Sequence, residues 1–127
     1  MAATYKPKII VFLADGVIAK GKAVKIGSDD NHVVVAAGTT DKVIGIAQSA
    51  STAAEDQIEV ALPGGGAKAL AETTIAAGKL CVSHTDGTLK PIAAANDRLV
   101  CMALEAASAN DLFSVLVVTG QATATES

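Results

Sequence analysis

The chain carries its pattern twice, and the two copies agree at turn residues as well as at apolar positions. From Leu13 to Ala37 it re-reads at an offset of 57. Leu13 falls on Leu70, Ala14 on Ala71, Ile18 on Ile75, Gly21-Lys22 on Gly78-Lys79 and Ala36-Ala37 on Ala93-Ala94. A one-residue deletion between Ala37 and Asp41 shifts the offset to 56, pairing Asp41 with Asp97 and Ala47 with Ala103. A second deletion gives 55, pairing Asp56 with Asp111, Val60 with Val115 and Gly65 with Gly120. Both deletions are assigned to loops, where length changes are tolerated best. A feature present in both copies serves the fold, because a single active site need not be built twice.

The repeat divides the 127 residues into an N-terminal arm (1–8), a first repeat (9–63), a second repeat (64–120) and a C-terminal tail (121–127). Either half alone is too small to bury much apolar surface. The halves are therefore expected to share a core or to pack back to back. Half of the residues are apolar, yet the aromatics are Tyr5, Phe12 and Phe113 alone. The core must be built from Val, Ile, Leu and Ala. The same scarcity argues against binding single-stranded nucleic acid or stacking on sugars, since both use aromatic platforms. Net charge is −3 with no run of Lys or Arg, so no footprint for DNA or RNA is visible. No apolar run approaches the roughly 20 residues of a membrane span, and the first residues lack the apolar core of a signal peptide. The expected compartment is the cytosol, with Cys81 and Cys101 as buried, reduced thiols.

Local patterns predict an all-β fold of two tandem small barrel-like or sandwich-like halves, with at most short helical turns. Lys8 to Leu13 is a β-rich apolar run, and Ala23 to Ile26 alternates before the turn cluster Gly27 to Asn31. Thr85-Asp86-Gly87-Thr88 between two apolar runs is the strongest hairpin signal, and Asp29 is matched to Asp86. Val43 to Ala47 and Leu99 to Ala103 are nearly continuous apolar runs, as expected of strands covered on both faces. Gln57 to Leu62 alternates, with Ile58, Val60 and Leu62 facing in. Its counterpart, Leu112 to Val118, is more fully apolar. That asymmetry points to a second face covered by the other copy or by a neighbouring subunit.

Chemistry is sparse. Gly64-Gly65-Gly66 is not followed by the Gly-Lys-Ser/Thr of a phosphate loop. His32 and His84 do not align with each other, and neither has a Cys or His at ligand spacing. Ser83, His84 and Asp86 supply the residue types of a hydrolytic triad, but they crowd onto one hairpin where neighbours point to opposite faces. The repeated acids Asp41/Asp97 and Asp56/Asp111 read as turn-making residues and strand-flanking charges. No catalytic residue, metal site or cofactor is expected.

The first copy reads Gly-Lys-Ala-Val-Lys-Ile, a turn, Val-Ile-Gly-Ile-Ala-Gln, an Ala-rich turn with Asp, then Ile-Glu-Val-Ala-Leu-Pro-Gly. The second returns as Gly-Lys-Leu-Cys-Val, Leu-Val-Cys-Met-Ala-Leu and Phe-Ser-Val-Leu-Val-Val-Thr-Gly. From Ile9 to Gly120 this pattern resembles the small capsid decoration (cement) proteins of tailed bacteriophages. The second copy departs from it in having Cys101 where the first has Gly45. The resemblance implies a β-rich homotrimer of the virion surface. Its partner would be the major capsid protein, and its task to stabilise the assembled head. A β-rich subunit of another assembly, or a small-ligand-binding module, are the rival readings. The arm lies outside the repeat, so folding explains it least. Thr4, Tyr5, Lys6, Pro7 and Lys8 are the candidate capsid-binding residues. Tyr5 would be an amphipathic anchor, and Pro7 between two lysines would hold an extended backbone suited to a sheet edge. The tail Gln121 to Ser127 has no such anchor and is expected to be dispensable.

Overall fold

The computed structural model of the chain describes residues 8–27, 29–39, 41–92 and 97–121. The fold is all-β. The first half contributes β1 (Ile9–Ala14), β2 (Ala23–Ile26), β3 (His32–Val35), β4 (Val43–Ala47) and β5 (Gln57–Ala61). The second contributes β6 (Gly66–Leu70), β7 (Leu80–Ser83), β8 (Leu89–Pro91), β9 (Arg98–Ala103) and β10 (Leu112–Gln121). The Ala-rich stretches after β4 and β9 form turns, and no helix occurs among the described residues. Those stretches are too short to repay helix nucleation.

Strands β1-β3-β2-β4-β5 close into a small barrel, while β6-β10-β9-β7-β8 repeat the same order as a five-stranded sheet. The equivalence reaches single pairings. Val24 faces Gly45 as Cys81 faces Cys101, Ile46 faces Ala61 as Met102 faces Leu116, and a bulge follows Val24 and Cys81 alike. The bridge Ile18–Ser51 recurs as Ile75–Ala107.

One register expectation is corrected. Ile26 pairs with Val33 whereas Ser83 pairs with Leu89, so the first deletion lies in the hairpin turn and not after Ala37. Asp30, not Asp29, therefore matches Asp86. Asn31 takes the place of Gly87, and both have positive φ, 62° and 82°. Gly and Asn tolerate that backbone best.

Closure separates the halves. In the barrel, β1 joins β3 in parallel through Leu13–His32 and Ala14–Val33. In the second half a lone parallel bridge, Ala71–Leu89, stands at that place. The first half fills the remaining gap: the Gly21 carbonyl accepts the Leu70 amide at 2.9 Å, and the Gly87 carbonyl accepts the Ala23 amide at 2.8 Å. Two cores follow. Ala14, Ile18, Val24, Val33, Ala47, Ile58 and Val60 fill the barrel. A larger core joins Phe113, Val115, Leu89 and both cysteines to Ala23, Ile46 and Ala61 on the outside of the barrel. The halves thus share a core, with the barrel acting as a lid on the open sheet. This is why β4 is covered on both faces.

The asymmetry between β5 and β10 resolves in an unexpected direction. The covered outer row is the first half's, Ala23–Ile46–Ala61, fully buried under the second half. Its counterpart in the second half, Leu80–Met102–Leu116, stays half-buried. Of the extra apolar residues of β10, Leu112 lies against Gly21 of the first half and Leu116 stays half-buried.

Candidate interaction surface

Three of the acids flagged by sequence, Asp41, Asp56 and Asp111, bind turn amides. The Asp56 carboxylate accepts the Thr52 amide at 2.9 Å and the Ala53 amide at 3.1 Å, and Asp111 accepts the Ser108 amide at 3.0 Å. These bonds hold the Asp56 carboxyl below its usual pKa, the Thr52 amide contributing most. Asp41 binds the Ala37 amide at 2.6 Å and the Lys25 ammonium at 2.9 Å, and is lowered likewise. Ser83, His84 and Asp86 do not converge. Ser83 is buried and donates to the His84 carbonyl, His84 lies 3.8 Å from Glu72, and Asp86 binds Thr88. Cys81 and Cys101 are free and buried, facing each other across β7 and β9. Burial pushes the Cys101 thiol well above its ordinary pKa.

His32 is buried at the start of β3. Its Nδ1 lies 2.9 Å from the Asp30 carbonyl and its Nε2 2.8 Å from the Glu55 carboxylate. Both partners are acceptors, and only imidazolium has two N–H donors. The Asp30 carbonyl first, then Glu55, raises the His32 pKa above 6.5. A raised pKa in the folded state means that the contribution to stability is complete below the unfolded value and fades as pH rises through the folded one. Replacing Glu55 with Gln is expected to lower the His32 pKa, and the stability gap to the parent should shrink above neutral pH. An NMR titration of the ring protons checks the first point, and melting at acidic and alkaline pH the second. An unmoved His32 titration would exclude the pair as its cause.

A shallow depression of about 370 Å³ is lined by Thr74, Ile75, Ala76, Ala106, Ala107, Ser108 and Asp111, and its one carboxylate already binds Ser108. No three of His, Cys, Asp and Glu among the described residues are placed to hold a metal ion. No helix there is long and apolar enough to cross a membrane.

The most unusual surface is the start of β1. Ile9, Ile10 and Val11 are 40, 49 and 53% exposed, so both faces of the strand meet solvent. Their counterparts in β6 are Gly66, Ala67 and Lys68. Of the candidate arm residues, Lys8 is described and exposed, directly preceding this strand. Thr4, Tyr5, Lys6 and Pro7 lie outside the described residues.

Two tandem β-units of one strand order, sharing a core, define the class of fold. No protein-family model and no curated protein sequence matches the chain. Among solved structures, the fold is similar to the N base of the head fiber gp8.5 of bacteriophage phi29. The TM-score is 0.69 at 16% sequence identity, over 90% of this chain and 98% of that one.

Proposed function

We propose that this chain is a structural component of a phage head, which binds the outer surface of the assembled shell through the major capsid protein and stabilises it. The observation that carries this reading is the end-to-end likeness to a head fiber base, whose length this chain matches almost completely. The decoration-protein resemblance of the sequence, from Ile9 to Gly120, supports it independently. The carboxylates of Asp41, Asp56 and Asp111 bind turn amides. Attachment is assigned to the arm from Thr4 to Lys8, with Tyr5 as anchor, and the protein acts as a homo-oligomer.

Co-sedimentation with purified phage heads tests the reading, and the full chain is expected to pellet with them. Deleting Met1 to Lys6 should weaken binding by roughly 30-fold, the value of one aromatic anchor worth about 2 kcal/mol. The melting temperature of the free protein should stay unchanged. A full-length chain that never pellets with heads would sink the reading. Full binding by the truncation would remove the arm from it.

A further inference from the structure

The second half carries a reactive pair that the first half lacks. Cys81 of β7 and Cys101 of β9 are direct partners across the sheet, both fully buried in the shared core and both free. At the same place the first half sets Val24 against Gly45. The repeated fold therefore asks for no sulfur here. A pair present in one copy alone is not accounted for by the fold.

Register brings the two thiols within bonding reach. The Ala103 amide donates to the Lys79 carbonyl at 2.8 Å. Antiparallel pairs alternate, so Leu80–Met102 lacks backbone hydrogen bonds and Cys81–Cys101 has them. Such partners stand about 5.5 Å apart at Cα, well inside the disulfide range of about 4.4–6.8 Å and close to its commonest value. Directly opposed side chains leave the sheet on one face. The Cys81 thiol is accordingly a hydrogen-bonding neighbour of the Cys101 thiol.

We infer that Cys81 and Cys101 are a latent disulfide, reduced when the chain is made and closed once the folded protein meets an oxidant of the glutathione disulfide class. One cysteine thiolate attacks glutathione disulfide, breaking its S–S bond, forming a mixed disulfide and releasing a glutathione thiolate. The other cysteine thiolate attacks the protein sulfur of that mixed disulfide, forming the Cys81–Cys101 bond and expelling the second glutathione thiolate. The two thiol protons end on the two glutathiones. The protein loses two electrons and glutathione disulfide gains them.

The bond ties the β7–β8 hairpin to β9 in the half that lacks closure. The barrel is shut by β1 and β3, whereas a lone bridge, Ala71–Leu89, stands at that place in the open sheet. Burial raises the Cys101 thiol and keeps its thiolate scarce, so exchange is slow and proceeds through opening of β8, a three-residue edge strand. This chemistry does not rest on the phage reading. That reading supplies the occasion, since a virion leaves the reducing cytosol.

Equilibration of the full-length protein with glutathione redox buffers tests it, in urea below the unfolding midpoint, which speeds opening, and in urea above it. Intact mass reports the two hydrogens lost, and non-reducing electrophoresis separates an internal bond from a cross-link between chains. With two cysteines in the chain, an internal bond can join no other pair. For a loop of about 20 residues, the ratio of bonded to free protein should be roughly 100-fold higher folded than unfolded. The oxidised chain should melt about 10 °C above the reduced one. Cys101→Ala, treated alongside, should lose no mass and show no dependence of melting on oxidant. Equal ratios in the two urea concentrations, an oxidised chain that melts no higher than the reduced one, or bonds between chains alone would each overturn the proposal.

Discussion

Replacing Phe113 with alanine is expected to cost about 3–5 kcal/mol, the usual range for a large buried aromatic. That is a large share of the 5–15 kcal/mol by which domains are stable. Phe113 is the largest fully buried side chain, and Ala69 stands directly opposite it on β6. The first half solves the same position differently, with Ile58 opposite Phe12. The second half therefore concentrates its volume in one ring, and Phe113→Ala leaves alanine facing alanine with nothing to fill the space. The shared core links Phe113 to Ile46 and Ala61 of the barrel, so both halves should weaken together. Urea unfolding followed by circular dichroism should show one transition with a lower midpoint. A loss below 1 kcal/mol, or two separate transitions, would contradict a shared core centred on Phe113.

The strands and their order of recurrence were legible because a period of two and a turn residue are local signals. The alternation of Gln57 to Leu62 and the Asp86-Gly87 turn are examples. The register step was misplaced because Ala36-Ala37 and Ala93-Ala94 match at the wrong offset, and alanines carry little positional information. Matching Asn31 to Gly87 by their shared need for positive φ would have placed it. Closure was not legible. Whether β1 pairs along its whole length with β3 depends on groups far apart in sequence, so a pairing limited to Leu13 and Ala14 emerges from topology. The apolar excess of β10 was visible, but sequence had no means of saying that the covered row would be Ala23–Ile46–Ala61. The burial of His32 was also hidden, since Glu55 reaches it from the loop between β4 and β5.

Gly45→Ala is expected to destabilise the protein by about 3 kcal/mol or more, the upper end of overpacking costs. A methyl at Gly45 would run into the Ala61 carbonyl and come within 2.8 Å of Val60 Cγ1. The carbonyl belongs to backbone and cannot swing aside. Its counterpart Cys101 carries a full side chain at the same place in the repeat, facing Cys81 as Gly45 faces Val24. Closure explains the contrast. The barrel brings β4 onto β5 with direct pairing at Ile46–Ala61 and Ala47–Val60, and beyond it the backbones crowd. The open sheet continues its pairing through Cys101–Val117 and has room for a thiol. Cys101→Ala is the comparison, and as a small truncation in a core it should cost about 1 kcal/mol. Urea midpoints of the two variants measure the difference. A Gly45→Ala midpoint equal to the parent's would mean that β4 and β5 yield at this point, and that the closed barrel is looser than its pairing indicates.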